Sequence, residues 1–282
     1  MMAVPLLDEE FRLWAEWIAE ELGHRWGPER REILRTRLEP RRAALGMESF
    51  DALLFHLRFH PERDAERARL VPHLTNNESY FCRERGSLEV IRDEVLPELE
   101  ARLGAAGQAR LMSAACAAGE EAYTLAILAR ESGRFAAPGA LRVTGMDVDP
   151  AALQKAQAGV YGTHAFRGTD PAWRDRFFDA RGEDAWEVKP EVRAPVRFIS
   201  GNLVRDGWWN GLPPQHLVLC RNVMIYFDEA AVLKAAQGLW EALAPGGYLF
   251  LGHAESLRHV AVPFELQRRA GALFYRRPGE DA

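Results

Sequence analysis

The residues best placed to do chemistry stand at the ends of apolar runs. Leu217 to Cys220 reads as a short buried strand that stops at Arg221-Asn222, turns apolar again through Val223-Met224-Ile225-Tyr226-Phe227, and meets Asp228-Glu229 where a helix could start. A guanidinium and an amide at the carboxyl end of a buried strand lie where open α/β sheets place their ligands. The same pair also reads as a solvated strand end. Glu121 follows the small-residue stretch Cys116-Ala117-Ala118-Gly119-Glu120, and Asp147 closes the run Leu141 to Met146. A carboxylate at the first position can receive an ammonium, and an aspartate ending a second strand suits ribose hydroxyls. Glu120 and Glu121 serve equally as negative charge at a helix amino end. Thr75-Asn76-Asn77-Glu78-Ser79-Tyr80-Phe81-Cys82-Arg83-Glu84 reads as a polar loop entering a helix. A helical turn near Ser79 would put its hydroxyl and the Arg83 guanidinium on one face.

These groups need elements to hold them. Residues 8 to about 72 read as helical throughout, and from Ala109 onward strands alternate with helices. The strands expected are 109–115, 141–146, 217–220 and 248–252, with hairpin-like strands over 263–276. Residues 160–200 break the rhythm. Trp186 to Lys189 and Val192 to Phe198 alternate and carry Pro190 and Pro195, which predicts an antiparallel hairpin of edge strands inserted there. The fold class expected is α/β: a doubly wound sheet with an all-α amino-terminal domain over 1–74, the sheet domain over 75–282, and a small antiparallel insertion at about 160–200.

In the second predicted helix, from Pro28 to about Leu45, Leu34, Leu38 and Leu45 form one stripe. Arg31, Arg35 and Arg42 wall one side of it, and Arg30, Arg37 and Arg41 the other. Such a seam suits docking against an acidic helix; it also describes a core helix whose arginine stems cover its edges.

Composition narrows the classes. The chain has 282 residues, 48% hydrophobic and 27% charged, with a net charge of −5. That balance gives no support to nucleic acid as the main partner. No apolar run approaches the ~20 residues that span a bilayer, so no membrane insertion is expected, and a cytoplasmic location is. Three cysteines lie far apart without ligand spacing, and His56 and His60 lack a third ligand, so no metal is expected. A single glycine, Gly119, in the first strand-to-helix turn disfavours a dinucleotide. A glutamate for an amine, an aspartate for a ribose and the late Pro245-Gly246-Gly247 turn suit S-adenosylmethionine better than a phosphate-bearing cofactor.

Taken together, the sequence resembles the chemotaxis receptor glutamate methyltransferases, the CheR type. The resemblance is carried by Thr75-Asn-Asn-Glu-Ser-Tyr-Phe-Cys-Arg-Glu84, Ser113-Ala-Ala-Cys-Ala-Ala-Gly-Glu-Glu-Ala-Tyr123, Asp147-Val-Asp149, Gly159-Val-Tyr161, Asn202-Leu203, Cys220-Arg-Asn-Val-Met-Ile-Tyr-Phe-Asp228 and Gly252-His-Ala-Glu-Ser256. It spans roughly residues 25 to 275. Ser79 stands where threonine is usual, and Ala122 replaces a common proline.

The resemblance implies methyl transfer from S-adenosylmethionine to glutamate side chains on the acidic cytoplasmic helices of chemoreceptors. It places Asn77, Ser79 and Arg83 beside the cofactor, Glu121 on its amino group and Asp147 on its ribose. Ala115, Asn202, Leu203, Arg221 and Asn222 complete that pocket. Arg83 and Tyr226 would face the methyl and the substrate carboxylate. Arg31, Arg35 and Arg42 become the expected receptor-docking residues. The Arg181-Gly182-Glu183-Asp184-Ala185 turn of the insertion is short, which speaks against gripping a receptor tail. Two other readings stay open: a methyltransferase of the same fold acting on a small molecule, and a non-catalytic S-adenosylmethionine-binding regulator.

Overall fold

The computed structural model describes residues 4–104 and 107–279. The chain divides into two compact units. One comprises the chain up to Asn76 together with Tyr226–Val232; the other runs from Asn77 to Ile225 and resumes at Leu233.

In the first unit, α1 (Asp8–Leu22), α2 (Arg31–Ala44), α3 (Phe50–Phe59) and α4 (Arg63–Leu74) account for the helical periodicity of the sequence. The α1 amino end carries Asp8, Glu9 and Glu10 against its unpaired amides. Glu10 also accepts from the Leu7 and Asp51 amides. Gly23 ends α1 at φ 72°, a left-handed cap. Ser49 caps α3 by accepting from the Ala52 amide at 3.1 Å. Trp14, Ile18, Leu34, Leu38, Phe50, Leu53, Leu57 and Leu70 are buried between these helices. The Leu34–Leu38 stripe of α2 is therefore the unit's own core.

The second unit starts with a continuous helical stretch, α5 (Arg85–Val90), one wider π turn (Ile91–Val95) and α6 (Leu96–Leu103). Then come β1 (Ala109–Ala114), α7 (Glu120–Glu131), β2 (Leu141–Asp147) and α8 (Pro150–Ala158). Next are β3 (Val160–Gly162), α9 (Pro171–Phe177), β4 (Phe178–Ala180), β5 (Ala185–Val188) and α10 (Pro190–Arg193). The chain ends with β6 (Val196–Ser200), β7 (Gln215–Cys220), α11 (Glu229–Ala242), β8 (Leu243–Leu251), β9 (Glu265–Arg269) and β10 (Ala272–Arg276).

Seven strands form one sheet in the order β6-β2-β1-β7-β8-β10-β9, and β3-β5-β4 form a small antiparallel one. β1 pairs in parallel with β2 from Ala109↔Leu141 to Ala114↔Met146, and with β7 at Leu111↔Leu217. All six residues of β7 are buried, as a central strand covered on both faces requires. The chain proceeds from β1 to β2 and β6 on one side, and from β7 to β8 on the other. The order therefore reverses between β1 and β7, and the crevice above their carboxyl ends is the sheet's switch point.

One expectation fails here. Val192 to Phe198 does not pair back on Trp186 to Lys189. It splits into α10 and β6, and β6 joins the main sheet in parallel with β2, from Val143↔Val196 to Asp147↔Ser200. Pro195 precedes β6 at the sheet edge, where a missing amide costs nothing, and its carbonyl accepts from Val143. The antiparallel partners of β5 are instead β3 and β4.

Candidate functional site

Six loops of the second unit border the switch-point crevice or brace those that do, and their backbone is unusual. Among the described residues seven non-glycine positions have positive φ, and five of them (Cys82, Glu84, Ala115, Ala117 and Asn222) lie in these loops. Such conformations cost of order 1–3 kcal/mol each and persist where surrounding bonds over-determine them.

The β1–α7 loop is the tightest. Ala115 and Ala117 are left-handed at φ 60° and 47°, and Gly119 follows at φ 92°. A Cβ on Gly119 would meet Ala156 at 2.8 Å and Phe198 at 2.9 Å, so only glycine lets α7 start there. Asp147, at the end of β2, braces this loop. Its Oδ2 accepts from the Ala117 amide at 2.8 Å and its Oδ1 from the Asp149 amide at 2.9 Å. Burial pushes its carboxyl pKa up, and the two amides oppose that. The Val148 amide adds to these, and a carboxylate has about four acceptor positions, which leaves capacity for a ribose hydroxyl. Asn202 and Leu203 follow β6 beside it, with Gly201 donating to the Asp147 carbonyl.

Arg221 and Glu121 form the core of the crevice floor. Arg221 Nε donates to Glu121 Oε2 at 2.6 Å, and its Nη1 donates to the Arg83 carbonyl at 2.8 Å. Ser113 Oγ donates to the other Glu121 oxygen at 2.7 Å. The Arg221 side chain is 2% exposed. It therefore holds the pocket together through Glu121 rather than offering its own charge to a ligand. Glu121 retains acceptor capacity for an ammonium. Its neighbour Glu120 is a residue that sequence reasoning treated only as helix-end charge. Glu120 is 6% exposed, its carboxyl pKa is raised by burial, the Ser79 hydroxyl bonds to it, and its Oε2 has no partner.

The stretch from Thr75 to Glu84 does not make a helical turn at Ser79. It runs irregularly, so Ser79 and Arg83 do not share a helix face. Ser79 turns to Glu120, whereas Arg83 Nη1 donates to the Glu78 carbonyl at 3.1 Å. Asn77 donates to Asp149, the cap of α8. Phe81 anchors the stretch to the insertion. It is fully buried, stacks on Phe166 at 5.1 Å and meets Phe178 edge-on at 4.8 Å, and its amide donates to the Ala165 carbonyl. The Cys82 thiol is pushed up to about 12 by burial, which removes it as a nucleophile at neutral pH.

Tyr226 belongs to the first unit, an arrangement the sequence did not announce. Its hydroxyl accepts from Asn76 Nδ2 at 2.7 Å, its carbonyl accepts from the Arg25 amide, and its ring lies 5.7 Å from that of His24. Arg30 and Arg37 both stack on Trp26, at 4.1 and 5.5 Å. Arg37 also donates to the Leu74 carbonyl and lies within electrostatic reach of the Tyr226 phenol. Burial, then Arg30 and Arg37, lower His24 to about 4, so its ring is neutral at physiological pH.

The expected docking arginines fare differently. Arg42 is 6% exposed, with its guanidinium on Glu39 and the Met47 carbonyl and its face toward Phe50. A buried, internally paired guanidinium cannot meet a partner, so Arg42 leaves the docking set. Arg31 pairs with Asp8, and Arg35 with Glu32 at 2.8 Å; both stay partly open. Arg41 is spent on Glu66, which is 1% exposed.

The residues present fit S-adenosylmethionine. Carboxylates line the crevice at Glu120, Glu121 and Asp147, one of them with an orphaned buried oxygen, and the β1–α7 loop keeps its side chains small. No cluster of His, Cys, Asp or Glu among the described residues could hold a metal ion, and no helix there is long and apolar enough to cross a membrane.

Comparison with known proteins agrees. Residues 77–270 match the model of the CheR methyltransferase SAM-binding domain, and residues 9–75 that of the CheR methyltransferase all-alpha domain. Chemotaxis protein methyltransferase 2 of Vibrio cholerae is 27% identical over 99% of this chain and 96% of its own. Chemotaxis protein methyltransferase 1 of Pseudomonas aeruginosa is 30% identical over 95% of this chain and 97% of its own. A probable biofilm formation methyltransferase, WspC of Pseudomonas putida, is 35% identical over 71% of this chain and 46% of its own. With both domain models matched in order along one chain, this protein belongs to the CheR methyltransferases and uses S-adenosylmethionine as its cofactor.

Proposed function

We propose that the protein methylates glutamate side chains on the helical cytoplasmic region of a chemoreceptor, giving glutamate methyl esters. The cofactor supplies a methyl group activated by its sulfonium. A glutamate carboxylate is already ionised at neutral pH, so no base is needed to prepare it. Its oxygen forms the new O–CH3 bond as the S–CH3 bond breaks, and the electron pair stays on sulfur. No proton moves. What this chain must supply is alignment and exclusion of water.

In this reading Glu121 and Asp147 receive the amino group and the ribose, and Asn77, Ser79, Ala115, Asn202, Leu203 and Asn222 shape the walls. Arg83 serves the acceptor carboxylate and the methyl, and Tyr226 belongs to the substrate-facing surface of the first unit. The observation that carries the choice of an acidic protein side chain is the surround of Tyr226. Arg37 lies within electrostatic reach of its phenol and shares the Trp26 ring with Arg30, while His24 stays neutral, which gives a cationic surface. Arg37 and Arg30 accordingly replace Arg42 among the receptor-facing residues, beside Arg31 and Arg35.

The test is base-labile methyl release from a purified receptor fragment. Arg37→Glu is expected to raise KM for the fragment about tenfold or more, while S-adenosylhomocysteine affinity stays at the parent value. An unchanged KM would remove Arg37 from the docking surface, and absence of base-labile methyl with the parent protein would sink the glutamate reading.

A further inference from the structure

The loop that follows β7 is held by a carboxylate that the proposed mechanism does not use. Glu255 lies just past the end of β8, and its two oxygens collect four backbone amides. Oε2 accepts from Asn222 at 2.8 Å and from Gly252 at 2.7 Å. Oε1 accepts from Val223 at 2.9 Å and from Ile225 at 3.3 Å. Three of these donors belong to the 222–225 segment, which therefore wraps around the carboxylate as such segments wrap around a bound anion.

Two further observations show that the arrangement is built. Asn222 has φ 61°, the left-handed region, which asparagine tolerates better than most residues and which the bonds around it hold here. Glu255 takes its amide from one side, while from another its side-chain Nδ2 donates to Glu84 Oε1 at 3.3 Å. A side chain at position 252 would displace the clamp. A Cβ there would lie 2.7 Å from Glu255 Oε2 and 2.8 Å from Asn222 Nδ2. The run Gly252-His-Ala-Glu255 thus makes room for the clamp and then supplies it.

We infer that Glu255 is the positioning residue of the cofactor loop, fixing Asn222 in its left-handed conformation and with it the wall of the crevice at the end of β7. Glu255 touches neither cofactor nor substrate in this role; it acts through Asn222. A carboxylate is required. An amide keeps one oxygen and turns an NH2 group toward donors, which breaks at least one of the two amide pairs. Losing one hydrogen bond to a charged group corresponds to about tenfold in affinity or more.

The inference rests on Asn222 being part of the cofactor pocket, and the experiment separates the two. Binding of S-adenosylhomocysteine to the full chain is measured by calorimetry for Glu255→Gln, Glu255→Ala and Asn222→Ala, with far-UV circular dichroism confirming folded protein. Glu255→Gln is expected to bind about tenfold more weakly or worse. Glu255→Ala leaves four amides open, and added formate, but not chloride at equal ionic strength, is expected to restore its affinity. Parent-like affinity in Glu255→Gln with weakened Asn222→Ala overturns the positioning role alone. A loss in Glu255→Ala that formate does not touch overturns it too, since a general loss of structure would not depend on refilling that one site. Parent-like affinity in Asn222→Ala removes the pocket assignment and the inference with it.

Discussion

Arg83 and Arg221 are the two arginines of the crevice, and they differ in what they can lose. Arg221 is buried against Glu121, so Arg221→Ala strands a carboxylate whose side chain is itself only 12% exposed. Removing one partner of a buried pair costs about 3–5 kcal/mol. Urea denaturation should show a loss of that order, with cofactor affinity falling alongside. The Arg83 side chain donates to a carbonyl in its own loop and lies over the Tyr80 ring, with no carboxylate shown against it among the described residues. Arg83→Ala should leave the denaturation midpoint nearly unchanged but lower turnover about a hundredfold, as misalignment of the reacting groups does. Equal stability losses in the two variants would show that Arg83 is also structural, and unaltered turnover would remove it from the reaction.

At the scale of elements, the small sheet explains why a loop without helix or strand holds its shape. Phe81 enters a cluster with Tyr161, Phe166, Trp173 and Phe178, all supplied by the insertion. Arg85 adds bonds to the Gly168 carbonyl. The insertion thus positions the Asn77–Arg83 stretch, whatever else it does. Phe81→Ala should cost about 3–5 kcal/mol in chemical denaturation, the usual range for a fully buried phenylalanine. It should also weaken S-adenosylhomocysteine binding, because Ser79 and Asn77 lose their anchor. Weakened stability with parent-like affinity would mean that the loop is held elsewhere.

At the scale of the whole molecule, two histidines set an acid limit. His24 in the first unit and His216 in the second are both lowered to about 4, His24 by burial and then Arg30 and Arg37, His216 by burial and then Arg110 and Arg102. The unfolded chain protonates a histidine near pH 6.5, the folded chain only near 4. Between those values the unfolded state binds more protons, so stability falls as pH is lowered through that window. Together the two contribute on the order of a few kcal/mol. The raised carboxyls of Glu120 and Asp147 act in the opposite sense, so the histidine contribution is read by difference. His24→Gln should flatten the fall in stability between pH 6.5 and 4 relative to the parent, and an unchanged slope would show that His24 is protonated in the folded state.

The amino-acid sequence by itself determined the helical front segment, the αβ alternation, the family and the cofactor, because each is written in local periodicity or in short motifs. Ser49 as a cap, Gly23 as a stop and Asp147 as a strand end are local facts of this kind. Tertiary structure alone decided which charges remain available. Arg42 looks like Arg35 on a helical wheel, yet one is buried on Glu39 and the other partly open, since periodicity gives a face and not what covers it. Arg221 finds Glu121 a hundred residues away, and Glu255 finds the Asn222 amide 33 residues away. Neither pairing leaves a trace in spacing. Val196–Ser200 reads as half of a hairpin by alternation and proline, but β2 offered it a parallel partner, and strand pairing is a contest among all available edges. Tyr226 follows the β7 loop in sequence and packs with Asn76 and His24 in space. Contacts between distant segments, which no local pattern encodes, made that choice.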